Sequence, residues 1–159
     1  MCYSAESSLN SFIIGTVASL YLLTSKSKVN KHLGLFFVTV CLMQLLEYFM
    51  WIDQYCGDIN SFASKMVYVV LPFQTLAIFL GGYLFNTLII KKEILYYLSI
   101  IYLLFIGREI YNMFIIDKSK WCSKKNNFNS LVWDKFYKLG AFHKIIYYGI
   151  FLITPFLLS

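Results

Sequence analysis

The stretch KHLGLFFVTVCLMQLLEYFMWID, residues 31–53, decides the fold of this chain. About 20 residues at about 1.5 Å each cover the roughly 30 Å hydrocarbon core of a bilayer. One carboxylate, Glu47, lies inside the run, where its charge is expensive unless it has a partner or a proton. Gln44, Glu47 and Trp51 recur at helical spacing and share one face. The stretch therefore predicts a membrane-spanning helix with a polar site inside a bundle.

The composition is that of a small membrane protein. Hydrophobic residues make up 59% of the 159 residues and charged residues 14%, which is unusual for a soluble globule. The net charge is +6, but the lysines cluster at the ends of apolar runs and in one loop. Such a pattern is typical of contacts with a lipid bilayer and its anionic headgroups, and it argues against nucleic-acid binding.

The hydropathy pattern predicts an all-α fold, an integral membrane helical bundle of about five transmembrane helices in a single domain, residues 1–159. The predicted spans are 8–24, 33–52, 66–90, 94–116 and 145–158. A polar, Lys-rich loop, 117–144, precedes the last span, and its 131–142 portion has the pattern of a short interfacial helix. The last span is short, so self-association into a homo-oligomer is compatible with the sequence.

The lysines and cysteines suggest an orientation. The turns that follow the first and third spans, called the first and third turns, contain lysines. Lysines favour the cytosolic side, which leaves the N-terminus on the non-cytosolic side. The seven lysines of 117–144 oppose this assignment, but early helices usually dominate. Alternation of the spans places Cys2, Cys56 and Cys122 on one side. If that side is oxidising, Cys56 and Cys122 are the natural disulfide pair; if it is reducing, they stay free thiols.

Polar residues of three predicted spans are expected at similar depth. Glu47 lies six residues before Asp53, about 9 Å along a helix. Gln74 and Arg108 each lie eight residues from the same-side end of their spans, about 12 Å deep. An ion pair between Glu47 and Arg108 is therefore expected. Four further residues are available to complete its hydrogen bonds: Gln44, Gln74, Glu109 and Asn112.

The first span carries a stripe of small residues at helical spacing, Ser4, Ser8, Ser11, Gly15 and Ser19. In a membrane such a stripe usually lets another helix approach closely. A hydroxyl-lined path is the alternative interpretation.

Several of these motifs resemble one family. The opening Met-Cys-Tyr-Ser, the MQLLEYFMW of 43–51 and the LPFQ of 71–74 are similar to a family of multi-pass membrane proteins that begin Met-Cys-x-Ser. This family occurs in giant DNA viruses of the mimivirus kind and in some cellular organisms. The resemblance covers about the first ninety residues. It departs in the loop, where Ser130 precedes Leu-Val-Trp in place of an expected His.

The resemblance implies a membrane location and a viral or host-derived origin, and it brings no assigned activity. The family's motif residues map here to Cys2, Ser4, Glu47, Trp51 and Gln74. They fall on the same side of the membrane as the expected polar site.

Three functional hypotheses follow from the sequence. The first is a non-enzymatic membrane protein whose polar pocket binds a small ligand, a lipid headgroup or an ion. The second is a structural or assembly component whose buried polar network only fixes helix packing. The third is a membrane enzyme that uses Glu47. Little supports catalysis, because the two histidines lie at opposite ends of their spans and no metal-ligand or nucleotide motif is present, so no metal and no cofactor can be assigned.

Overall fold

The computed structural model, described for residues 4–115, 121–127 and 130–133, contains four long helices and one small β-hairpin. The helices are α1 (Ala5–Thr24), α2 (Lys28–Ile52), α3 (Asp58–Phe85) and α4 (Lys92–Ile115). The strands are β1 (Ser123–Lys125) and β2 (Leu131–Trp133), which pair antiparallel. The predicted helical bundle is confirmed for its first four helices, and the predicted fifth span, 145–158, lies outside the described residues.

The helix ends follow from local chemistry. The Ser4 and Ser27 side chains accept hydrogen bonds from the backbone N–H groups of Ser7 and Asn30 and so cap α1 and α2. At the other end of α3, Asn86 adopts the left-handed conformation (φ 55°) and terminates the helix. Ser27 and Asn86 thus mark helix ends at the turns 25–27 and 86–91.

Helix α3 begins at Asp58, eight residues before the predicted start at 66, and ends five residues before the predicted end at 90. Its first two turns contain Asn60, Ser61 and Ser64, whose polarity lowers the local hydropathy. These side chains are nevertheless buried, because the β-hairpin and the end of α2 cover them. Burial under a polar cap, which hydropathy cannot detect, is the physical reason for the difference.

The helices pack in chain order, α1 against α2, α2 against α3 and α3 against α4. Helix α3 is the centre of the bundle, since 78% of its 18-residue apolar stretch is buried, against 11% of the corresponding stretch of α1. One apolar cluster joins α2 and α3 to the hairpin through Met50, Tyr68 and Trp121. A second cluster joins α3 to α4 through Phe79 and Tyr102.

All four helices are long and apolar enough to cross a membrane. Their outer surfaces expose large apolar side chains such as Ile14, Tyr21, Leu104 and Phe114. A continuous apolar outer surface of this kind suits lipid rather than water. The fold therefore fits an integral membrane location.

The β-hairpin corrects one expectation. The segment 131–142 has the pattern of an interfacial helix, but Leu131–Trp133 forms strand β2 opposite Ser123–Lys125. Leu131 is buried in the core cluster at the end of α2 and α3, so tertiary contacts outweigh the amphipathic pattern. Residues 134–142 lie outside the described part of the chain. We call the hairpin together with loop 53–57 the cap.

Candidate functional site

The relative height of the buried polar residues follows from four contacts. Asn60 of α3 reaches the Met50 carbonyl of α2, and His32 of α2 lies against Gly81 of α3. Between α3 and α4, Phe79 contacts Tyr102 and Tyr83 contacts Tyr96. These contacts fix the register of the three helices. On this register the cap lies at one end of the bundle and the lysines of the first and third turns lie at the other, which we call the lysine end.

Two carboxylates are buried in the candidate spans. Glu47 on α2 is 3% exposed and Glu109 on α4 is 6% exposed. Glu109 interacts electrostatically with the Tyr68 hydroxyl of α3. By the register above, the two carboxylates differ in height by about 9 Å. Each takes part in interactions within the fold, so both are integrated into the core.

The expected ion pair between Glu47 and Arg108 is wrong. Arg108 is exposed on the outer side of α4, whereas its neighbour Glu109 is buried. Successive helical residues point about 100° apart, so α4 can turn only one of the two toward α3. On the register above Arg108 also lies about 10 Å from the height of Glu47, so depth arithmetic from the predicted span ends was wrong about its height and could not identify which residue faces inward.

Gln74 is buried, but it lies further from Glu47 than expected. Because α3 begins at Asp58, the register puts Gln74 nearly level with Val38 of α2, about 14 Å from the height of Glu47. The expectation that both residues share one level is therefore wrong. Gln44 and Trp51 are half-buried on α2.

The remaining predicted site residues do not join this group. Ser4 is exposed and caps α1. It also lines an open groove of about 650 Å³ on α1, together with Glu6, Ser7 and Asn10. Cys2 lies outside the described residues, as does the side chain of Asn112.

A second buried polar group, centred on Asn60, lies beneath the cap and was not predicted. Asn60 is fully buried, and its Nδ2 donates to the carbonyls of Met50 (3.2 Å), Asp53 (2.8 Å) and Ser123 (2.8 Å). Its Oδ1 accepts from the backbone N–H of Ser123 (2.9 Å) and from the Ser64 hydroxyl (3.1 Å). One amide therefore joins the end of α2, the start of α3 and strand β1.

The Asp53 carboxylate completes this junction. Its Oδ1 accepts from the Gly57 backbone N–H and its Oδ2 from the Asn60 backbone N–H, each at 3.0 Å. An acidic group at the first turn of a helix also interacts favourably with the helix dipole. Gln54 extends the contact to the hairpin, because its Oε1 accepts from the Lys125 backbone N–H at 2.8 Å.

A disulfide between Cys56 and Cys122 covalently links the two parts of the cap, with Cα atoms 5.4 Å apart. The pairing expected for an oxidising side is therefore present. The residue before Cys122, Trp121, is buried and packs edge-on against Tyr68 with ring centroids 4.9 Å apart. The bridge thus fixes an aromatic side chain that closes the cap end of the core.

At the lysine end, His32 forms another buried polar contact that was not predicted. Its Nδ1 lies 2.6 Å from the Thr87 hydroxyl, and its ring also forms a hydrogen bond with the Ile78 carbonyl. Gly81 provides the space for the imidazole, since an added Cβ would collide with the ring. A single histidine forms no recognisable motif, so the sequence did not predict this contact. The sequence indicated only that His32 lies near the start of its span.

The small-residue stripe on α1 serves helix packing. Ser8 and Ser19 are buried, and an added Cβ at Gly15 would collide with the Cys41 sulfur of α2. The Ser19 hydroxyl donates to the Gly15 carbonyl at 2.6 Å, so it is satisfied within its own helix. The close approach expected of such a stripe is confirmed, while Ser4 and Ser11 are exposed.

Within the described ranges, no group of three His, Cys, Asp or Glu side chains is arranged to hold a metal ion. A buried carboxylate, such as Glu47 or the Glu109 side chain near the Tyr68 hydroxyl, can exchange protons or coordinate a weakly held cation. Comparisons with models of known protein families, with curated proteins and with solved structures find no match, so the resemblance to the Met-Cys-x-Ser family stays a prediction.

Proposed function

We propose that this chain is a multi-pass integral membrane protein in which the buried carboxylates Glu47 and Glu109 each bind a proton or a monovalent cation within the membrane. The observation that carries the proposal is the burial of both carboxylates on helices that flank α3. Segment 145–158 is the fifth span of the proposed topology. Of the ligand classes that a polar pocket can accept, a cation suits acidic oxygen ligands best.

The position of Arg108 supports this choice. An arginine facing Glu47 would neutralise the site and favour a purely structural pair. Arg108 is exposed instead, and the buried ionisable side chain in the described part of α4 is the Glu109 carboxylate. Ionisable residues that face the interior of a membrane bundle commonly mark ion or proton sites.

The proposal includes an orientation. A disulfide forms and persists on an oxidising side, so the bridge supports the proposal that the cap lies on the non-cytosolic face. The lysines of the two short turns independently support the proposal that the opposite end faces the cytosol. Two unrelated observations therefore support the same arrangement.

The test is thermal unfolding of the protein in lipid nanodiscs, in sodium, potassium or lithium chloride against choline chloride, at several pH values. A cation present at 100 times its dissociation constant stabilises the folded state by about 2.7 kcal/mol. We expect one cation, or a fall in pH, to raise the Tm of the wild type. Glu47→Gln and Glu109→Gln should fold and lose that response.

Glu6→Gln is the matched control, because Glu6 is an exposed carboxylate on α1 and should keep the full response. A pH response without a salt response would identify the occupant as a proton. A wild-type Tm that ignores both, or glutamine variants that respond like the wild type, would refute the cation site.

A structural role is the second candidate, and the network around Asn60 favours it. That network and the disulfide hold the cap rigidly over the bundle. In this case both glutamine variants would lower the Tm equally in every salt. Catalysis by Glu47 receives less support, because 3% exposure leaves a substrate little access to the carboxylate.

A further inference from the structure

The lysine end of the bundle contains a groove between the end of α3 and the start of α4. Its volume is about 410 Å³, within the range of small-ligand pockets. It is lined by Tyr83, Lys92, Glu93, Tyr96 and Tyr97. The Lys92 ammonium lies 5.9 Å from the centre of the Tyr83 ring, so the lysine is held over the groove by an aromatic face.

The end of the bundle that contains this groove is positively charged. The contacts of His32 with Gly81 and Thr87 bring the first and third turns to the same end of the bundle. Five lysines therefore share this end with the single carboxylate of Glu93 across the two turns and the adjoining helix ends. The lysines are Lys26, Lys28, Lys31, Lys91 and Lys92.

The aromatic residues place the groove at the membrane surface. The rings of Tyr83 and Tyr96 are 6.5 Å apart, and those of Tyr96 and Tyr97 are 5.7 Å apart. Tyrosines at a helix end typically lie at headgroup level. Further along α4, Ile101 and Leu104 are exposed one and two turns beyond Tyr97 and provide an apolar surface for an acyl chain.

We infer that this groove binds a singly charged anionic phospholipid, with the headgroup phosphate at Lys92 and the acyl chains along α4. The clustered lysines favour the negative headgroup, and the tyrosine hydroxyls supply hydrogen-bond donors. Glu93 limits the charge that the groove accepts, because a polyphosphorylated headgroup would bring more negative charge against its carboxylate. The inference requires the membrane location but not the carboxylate site.

Native mass spectrometry of the protein released from mixed bilayers tests this inference. The bilayers contain phosphatidylglycerol or phosphatidylserine together with phosphatidylcholine. We expect the wild type to retain one anionic lipid in preference to phosphatidylcholine. Lys92→Gln should bind it about fivefold more weakly, the factor expected for one lysine near a membrane surface.

Lys125→Gln is the matched control, since Lys125 is an exposed lysine at the cap end. It should retain the lipid like the wild type. Equal retention by Lys92→Gln, no preference over phosphatidylcholine, or displacement by an excess of inorganic phosphate would each overturn the inference. The salt and pH response of the carboxylates is a separate readout, so either proposal can fail alone.

Discussion

At the scale of single residues, the Asn60 side chain forms five hydrogen bonds with α2, α3, loop 53–57 and strand β1. Asn60 is buried, and its side chain satisfies backbone groups from three separate segments. Leaving one buried polar group without a partner costs about 1–3 kcal/mol. A single amide can therefore influence the stability of the whole cap.

We expect Asn60→Ala to lower the free energy of unfolding by about 3 kcal/mol or more, because several buried groups lose their partner together. Denaturation in mixed micelles measures this difference. Asn10→Ala is the control, since Asn10 is exposed on α1 and its loss should change stability by at most about 0.5 kcal/mol. Similar values for both variants would contradict the role assigned to Asn60.

At the scale of helices, glycine determines how closely α2 and α3 approach. Gly81 accommodates the His32 ring, whereas the equivalent Cβ position at Gly107 on α4 has no atom within 4 Å. The two positions therefore offer the same substitution in opposite environments.

We expect Gly81→Ala to destabilise the protein by about 1–3 kcal/mol, because the added methyl group overpacks the His32 contact. Gly107→Ala should be neutral or stabilising by up to about 1 kcal/mol, because alanine is the better helix former. The same micelle denaturation measures both. Equal destabilisation would mean that helix–helix contact at Gly81 is not the cause.

The sequence predicts where the helices lie better than it predicts which of their residues face the interior of the bundle. Four apolar runs are enough to locate α1 to α4, since span length and hydropathy depend on the chain alone. The choice between Arg108 and Glu109, and the early start of α3, depend on neighbours that hydropathy does not include. The buried contacts of Asn60 and His32 were not predicted for the same reason, because an isolated polar residue forms no periodic pattern in the sequence.

At the scale of the whole molecule, the proposed orientation places the cap and the lysine end on opposite sides of the membrane. In a Cys2→Ser background, which removes the native thiol expected on the same side as the cap, we expect an added cysteine at Asn127, in the hairpin, to react with a membrane-impermeant maleimide on intact cells. An added cysteine at Lys26 should react only after permeabilisation. Both positions are exposed, so accessibility within the fold does not separate them. The reverse pattern would refute the orientation.

The disulfide also has a consequence for biosynthesis. Cys56 and Cys122 are 66 residues apart, and α3 and α4 both lie between them. In the proposed topology their thiols can meet only after the ribosome has released the second of these helices and both have inserted. A chain in which one of the two helices fails to insert leaves its cysteines in different compartments. Bridge formation therefore reports that both cysteines have reached the same side of the membrane, and a nick in the turn after α3 would leave the two fragments linked until a reductant is added.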